Sequence, residues 1–276
     1  MKFLLHHKII RYAAVPAVFF LFFSSAFAQT DTAFCFNSFD GTKIYYEVKG
    51  KGKPVLLVHG FIVNSQSWKR TVLYNDLLNL GYKVIIPDLR GNGKSDKPHQ
   101  PEAYENDAEA KDIMQLMKLL KIKRYTVVGY SRGSIIASRL LLLDKRVTAA
   151  ALGGMGDGFT DANWPRRQMF YRALMNEPVK ELEAMVKYVK DSGLDQLALA
   201  YLQKGQPSAS PQELGKLKKP VLVICGDNDP DNGSPDSLAK MIPSAVLMKV
   251  PGDHSTTLRS VAFSSAVVSF LYEKNK

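Results

Sequence analysis

Short, continuous apolar runs recur along most of the chain, and segments with helical periodicity separate them. A run of four to six apolar residues that ends in turn residues is typical of a strand buried on both faces of a parallel sheet. Two more alternating segments, joined through Asp40–Gly41, predict a hairpin near the start. The predicted strands are Ala33–Phe39, Lys43–Val48, Pro54–Val58, Lys83–Pro87, Tyr125–Val128, Val147–Leu152, Val221–Cys225 and Ala245–Val250.

The segments between the strands predict helices that flank the sheet. Ile113, Leu116, Met117 and Leu120 share one face of a helix over 105–120. The other predicted helices cover 67–80, 134–143, 237–242 and 256–272. Alternating strands and helices predict an α/β fold with a mostly parallel, twisted, eight-stranded sheet.

The alternation breaks between residues 153 and 219, after the sixth predicted strand. This stretch has helix-like pieces but no buried-strand run. We therefore predict a helical insertion over 153–219 in a core that comprises 29–152 and 220–276.

Residues 1–28 have the pattern of a secretory signal peptide. A basic start is followed by an apolar run, Ala13–Phe23, and by Ala26–Phe27–Ala28 as a small-x-small cleavage site. The run is short for a bilayer span and contains Pro16, so cleavage after Ala28 is preferred to an uncleaved membrane anchor. The mature protein is then exported, to a bacterial periplasm or outside the cell, with no stable membrane insertion.

The net charge of +11 does not indicate nucleic-acid binding. Three of the basic residues lie in the leader, and the rest are scattered without a block of five or six. The chain has two cysteines, Cys35 and Cys225, and both fall in predicted strands. An oxidising compartment permits a disulfide, but two buried, unpaired thiols are the preferred interpretation.

Gly129–Tyr130–Ser131–Arg132–Gly133 joins a predicted strand to a predicted helix. The two glycines permit a turn in which backbone segments approach closely, and the serine at its tip is exposed above the sheet edge. The amide of Arg132 lies at the helix N-terminus, where negative charge is favoured. This arrangement suits a serine nucleophile and the oxyanion of an acyl-transfer intermediate.

Five side chains of chemical interest lie within a few residues after predicted strands: His59, Asp88, Ser131, Asp229 and His254. Ligands of parallel sheets bind at the carboxyl ends of the strands, so these residues converge on one edge.

A serine nucleophile needs a base, and only three histidines follow the leader. His99 lies in a polar loop, and His59 directly precedes Gly60, where a role in fixing the loop is equally plausible. Elimination therefore favours His254 as the base.

The base needs a carboxylate, for which Asp227, Asp229 and Asp231 are all candidates from their positions alone. Their alternating spacing superficially matches a calcium loop, but Asn232 and Leu238 occupy the positions of the required glycine and glutamate. No metal site is predicted.

These motifs together resemble the α/β-hydrolase superfamily. The resemblance rests on Gly129–Gly133, the His59–Gly60 pair, the loop Asp88–Ser95 and the order of serine, aspartate and histidine. It is strongest to the branch of small esterases, lactonases, carbon–carbon hydrolases and cofactor-free haloperoxidases. It implies that Ser131 is the nucleophile, His254 the base and Asp229 the acid, with the amides of Phe61 and Arg132 as oxyanion donors.

By the same resemblance, the insertion is a short lid over the active site. Its apolar surface would come from Trp164, Phe170, Tyr171, Tyr188, Tyr201, Met155, Met169, Met175 and Met185. We expect an exported serine hydrolase that cleaves an ester-like bond of a small apolar substrate without a cofactor. The alternatives are lactone or carbon–carbon hydrolysis on the same triad, and a non-catalytic ligand-binding protein.

Overall fold

The computed structural model describes residues 32–274, which fold around one sheet of eight strands. The strand order is β1-β2-β4-β3-β5-β6-β7-β8; β1 and β2 pair antiparallel, β2 pairs antiparallel with β4, and the remaining pairs are parallel. The predicted mostly parallel sheet is therefore confirmed. The strands are β1 Thr32–Asn37, β2 Lys43–Lys49, β3 Pro54–Val58, β4 Lys83–Pro87, β5 Tyr125–Tyr130, β6 Val147–Gly153, β7 Val221–Gly226 and β8 Ala245–Val250.

Helices cover both faces of the sheet, which is why its central strands are apolar throughout. Successive side chains of a strand point to opposite faces. In β5, Tyr125 and Val127 belong to the apolar cluster on one face of the sheet, which also includes Ile136. Val128 and Tyr130 belong to the cluster on the other face, which also includes Phe263. The helices are α1 Gln66–Lys69, α2 Val72–Asn79, α3 Ala108–Leu119, α4 Arg132–Leu143, α5 Pro165–Leu174, α6 Glu183–Asp191, α7 Gln196–Lys204, α8 Pro211–Leu214, α9 Pro235–Met241 and α10 Val261–Lys274.

The segment between β6 and β7 is helical and contains α5 to α8. Its helices share an apolar cluster that is separate from the two clusters on the sheet faces. This cluster includes Leu174 of α5, Val189 of α6 and Leu199 of α7, together with Tyr104. A small core of its own gives this segment a stable shape above the sheet.

Three predicted helices differ from those in the structure. The helix expected over 256–272 begins only at Val261, after a short 3₁₀ turn over Thr257–Arg259. The helix expected over 67–80 is two helices, because Thr71 caps a new one: its Oγ1 accepts a hydrogen bond from the amide of Tyr74 at 3.2 Å. The helix expected from residue 105 begins only at Ala108, since Asn106 and Asp107 both have positive φ values, 53° and 60°.

The two cysteines, Cys35 and Cys225, are both unpaired. They lie on β1 and β7, which five other strands separate. Cys225 is buried, as predicted, but the prediction for Cys35 is wrong: it is exposed, because β1 is an edge strand.

The predicted signal peptide, 1–28, lies outside the described residues. Within residues 32–274, none of the helices combines the length and the apolar character needed to cross a bilayer.

Candidate active site

Ser131 lies at the sharp turn between β5 and α4. Its φ is 53° and its ψ is −127°, a conformation that residues other than glycine rarely adopt. The turn depends on two close approaches of the backbone. A Cβ at Gly129 would lie 2.3 Å from the carbonyl oxygen of Gly133, and one at Gly133 would lie 2.2 Å from that of Val58. Both glycines are therefore required on steric grounds.

The structure brings three of the five strand-end side chains together. The hydroxyl of Ser131 lies 3.0 Å from Nε2 of His254, and Nδ1 of His254 lies 2.9 Å from Oδ2 of Asp229. With the imidazole proton on Nδ1, the ring donates to the carboxylate and accepts from the serine. The Asp229 side chain is 2% exposed, so water competes little for its oxygens.

The other two aspartates of the β7 loop make different contacts. Asp227 accepts a hydrogen bond from the amide of Gly252 at 3.1 Å. Asp231 lies 4.0 Å from the guanidinium of Arg166. Of the three carboxylates that the sequence left open, only Asp229 contacts the imidazole.

A residue that sequence reasoning did not single out holds the histidine loop in place. The hydroxyl of Tyr130 donates a 2.8 Å hydrogen bond to the carbonyl oxygen of His254, and the two rings lie 5.4 Å apart. Tyr130 directly precedes Ser131, so one short segment positions both the hydroxyl and the imidazole.

The remaining two strand-end residues, His59 and Asp88, fix loops. His59 is buried; its Nε2 accepts from the amide of Leu89 at 3.0 Å, and its Nδ1 donates to the carbonyl of Gly60 at 2.8 Å. Burial lowers the pKa of His59, so the ring stays neutral. Asp88 accepts from the amides of Ser65 and Lys94 at 2.8 and 2.7 Å.

The side chain of Arg132 makes a buried ion pair with Glu109 of α3. The two bonds measure 2.7 and 2.5 Å, and the side chains are 4% and 2% exposed. The sequence carried a signal for this partner: Glu109 precedes Ile113 by four residues and so shares the apolar face of α3. A charged residue on that face needs a buried partner.

A cavity of about 240 Å³ opens at Ser131. Phe61 follows β3 and Arg132 begins α4, so both predicted oxyanion donors border the same space as the hydroxyl. The lining residues are Phe61, Ile62, Ser131, Arg132, Ile135, Met155, Trp164, Arg166, Arg167, Phe170, Met185, Gln203, Gln206, Asp231, Asn232 and His254.

The helical insertion contributes only part of the apolar surface that the sequence suggested. Trp164, Phe170, Met155 and Met185 line the cavity. Of the others, Tyr188 and Met175 are exposed, Tyr171 and Tyr201 pack against the insertion's own cluster, and Met169 is not among the lining residues. Four of the nine aromatic and methionine residues that the sequence suggested for the apolar surface of the insertion therefore line the cavity, and the other five do not.

Asp229, Asp231 and His254 also form a group whose ligand atoms lie within 4.8 Å of one another. These residue types bind zinc in proteins. Here, however, both ring nitrogens of His254 already have hydrogen-bond partners, Asp229 and Ser131. A metal bound by this group would have to displace one of those partners, so the arrangement fits a proton relay better than a metal centre.

Comparisons with known proteins agree with this architecture. A family model described as the alpha/beta hydrolase fold matches residues 53–181. A non-heme haloperoxidase from Rhodococcus erythropolis is 25% identical, and the match covers 77% of this chain and 89% of the relative.

Two solved structures share the fold over nearly their whole length. An esterase from Exiguobacterium antarcticum superposes with a TM-score of 0.73 at 23% identity, covering 86% of this chain and 98% of the other. An enol-lactonase from Burkholderia xenovorans LB400 gives a TM-score of 0.68 at 21% identity, covering 86% and 99%. The sheet, the turn at Ser131 and these similarities together show that the chain has the α/β-hydrolase fold.

Proposed function

We propose that the protein is a serine hydrolase that cleaves an ester-like bond through an acyl-enzyme. The observation that carries the proposal is the chain of two hydrogen bonds from Ser131 through His254 to Asp229, 3.0 and 2.9 Å long. An esterase and an enol-lactonase share this fold, which supports hydrolysis in general.

In this mechanism Ser131 attacks the carbonyl carbon while His254 takes its proton. The carboxylate of Asp229 holds the imidazole in the required tautomer and stabilises the imidazolium. The tetrahedral oxyanion then accepts hydrogen bonds from the amides of Arg132 and Phe61. Arg132 begins α4, so its amide has no partner within the helix and adds the favourable end of the helix dipole.

Collapse of the intermediate expels the alcohol, which takes the proton from His254. Water then attacks the acyl-enzyme with His254 as base again, and the acid leaves. Every proton moves between these side chains, the substrate and water, so we propose no cofactor.

The size and lining of the cavity favour a small substrate with an apolar acyl group. About 240 Å³ is below the range of roughly 300–1,000 Å³ that is common for drug-sized ligands. Ile135 of α4, Met155, Trp164, Phe170 and Met185 supply apolar walls. We propose that the helices over 153–219 act as the lid that closes this space.

Lactone opening is a second candidate on the same triad, and the structural similarity to an enol-lactonase favours it over carbon–carbon hydrolysis. A non-catalytic binding protein would not need a hydroxyl, an imidazole and a carboxylate joined by hydrogen bonds. We further propose export after cleavage at Ala28, on the pattern of residues 1–28 alone.

Labelling with a fluorophosphonate probe tests the proposal directly, because the probe reacts with an activated serine. We expect labelling of the wild type and none of Ser131→Ala or His254→Ala. His99→Ala is the matched control: its side chain is 54% exposed, and its ring hydrogen-bonds to Asp195 rather than to any residue of the triad, so labelling should be unchanged. Failure of the wild type to react, or equal labelling of Ser131→Ala, would refute the assignment.

A further inference from the structure

Three arginines line the cavity at Ser131, although its walls are otherwise largely apolar. Arg132 belongs to α4, and Arg166 and Arg167 lie in the first turn of α5. Glu109 neutralises Arg132. The two arginines of α5 are therefore the ones whose charge is open to a ligand.

Arg167 has carbonyl partners only. Its Nε donates to Gln203 at 2.7 Å, and its two terminal nitrogens donate to Ala162 and Lys204 at 3.1 and 2.5 Å. Among residues 32–274, no carboxylate lies within 4.0 Å of it. Burial, and secondly the charge of Arg132, lower the pKa of Arg167, so its positive charge is poorly compensated.

Arg166 is held over the ring of Phe170, with 5.1 Å between the guanidinium carbon and the ring centroid. Its nearest carboxylate is that of Asp231, at 4.0 Å, and the two side chains are 35% and 44% exposed. At this distance and exposure the pair is loose, and Arg166 keeps donors for another acceptor.

The side chain of Arg132 is too deeply buried to contact a ligand in the cavity. This side chain is 4% exposed, and its Nε is buried without a hydrogen-bond partner within the described chain. A buried donor without a partner costs free energy, and such donors are rare in native structures.

We propose that the substrate carries a carboxylate in addition to its scissile bond, and that Arg166 and Arg167 bind this carboxylate. The inference rests on the proposed hydrolase function and names its substrate class: a small, singly anionic ester or lactone. A planar carboxylate matches the fork of a guanidinium, and the pair of arginines offers several donors on one side of the cavity. Asp231 limits the surplus of positive charge at the mouth, which favours one negative charge over two.

Pairs of esters that differ only in charge test the proposal. One pair has the charge on the acyl side: monoethyl adipate and its neutral analogue, ethyl adipamate. The other has it on the alcohol side: 4-butanoyloxybenzoate and 4-butanoyloxybenzamide. For one of the pairs we expect kcat/KM to be at least about tenfold higher for the anion, as for a charge-assisted hydrogen bond.

Arg166→Gln should remove most of this preference, chiefly by raising KM for the anionic ester. Arg172→Gln is the matched control, because Arg172 lies on the same helix, is 57% exposed and does not line the cavity. Arg172→Gln should keep the wild-type ratio. Within residues 32–274 the one ion pair of Arg166 is the 4.0 Å contact with Asp231, so its substitution does not threaten folding, whereas Arg167 also ties α5 to α7.

The results can distinguish failure of the carboxylate site from failure of the proposed hydrolase function. Equal turnover of anionic and neutral esters by the wild type, or an unchanged ratio in Arg166→Gln, would overturn the carboxylate site and leave the hydrolase intact. Calorimetric binding of the monoanion monoethyl adipate that Arg166→Gln weakens, in a protein that hydrolyses none of the four esters, would support the site and refute the hydrolase.

Discussion

The ion pair between Glu109 and Arg132 permits a quantitative test of how the residue beside the nucleophile is held. Glu109→Gln keeps the shape of the side chain and one acceptor oxygen but removes the negative charge. The guanidinium, 4% exposed, then stays buried without a counterion. Its only other acceptor in the described structure is the carbonyl of Leu202, at 3.3 Å.

Removing one partner of a buried ion pair costs about 3–5 kcal/mol, because the remaining charge has lost both water and counterion. We expect the free energy of unfolding to fall by this amount. At roughly 2–4 °C per kcal/mol for a domain of this size, Tm should fall by about 6–20 °C. Urea unfolding followed by circular dichroism measures the first quantity, and calorimetry measures the second.

The matched control is Asp191→Asn, which breaks the exposed pair between Lys187 and Asp191, 75% and 62% exposed. It should cost no more than about 0.5 kcal/mol. The double variant Glu109→Leu/Arg132→Met removes both charges and should recover at least half of the loss. A loss below about 1 kcal/mol for Glu109→Gln, or a double variant less stable than the single one, would refute the argument from desolvation.

Three further predictions concern the site and the N-terminus. Asp229→Asn should lower kcat by roughly 10³- to 10⁴-fold through loss of the correct tautomer, whereas Asp227→Asn and Asp231→Asn should change it only a few-fold; a greater loss from either would assign the acid elsewhere. Along a series of neutral p-nitrophenyl esters, kcat/KM should rise about fourfold per methylene up to butyrate or hexanoate and then fall, because the cavity is small; a steady preference for acetate or for long chains would contradict this. Sequencing of the mature protein from its host should begin at Gln29, and an intact Met1 on membrane-bound protein would indicate an anchor instead.

The sheet could be predicted from the sequence because the polarity of each strand reflects how many of its faces are buried. Pro54–Val58 and Val221–Gly226 are apolar throughout since helices cover both of their faces. The helix boundaries were harder to predict, because they depend on single caps and turns. The hydroxyl of Thr71 caps a second helix within the one expected, and the periodicity of apolar residues gives no sign of this cap.

The site was predictable to the extent that it depends on strand ends. Ser131, Asp229 and His254 follow three strands of one sheet, so topology alone brings them to a common edge. Which side chains of the helical insertion face the active site was not predictable, because the packing of the insertion itself orients them. Composition indicated methionines there, but Met175 is exposed while Arg166 and Arg167 border the cavity.

The positive φ of Ser131 lowers the stability of the fold at the one position where the proposed chemistry needs a hydroxyl. A residue with a Cβ in this conformation costs on the order of 1–3 kcal/mol, and the surrounding glycine contacts maintain that strain. Glycine would remove most of the cost, because it adopts positive φ freely. A laboratory selection for heat resistance alone should therefore reach glycine at position 131 readily, and every such survivor would lack the hydroxyl beside His254.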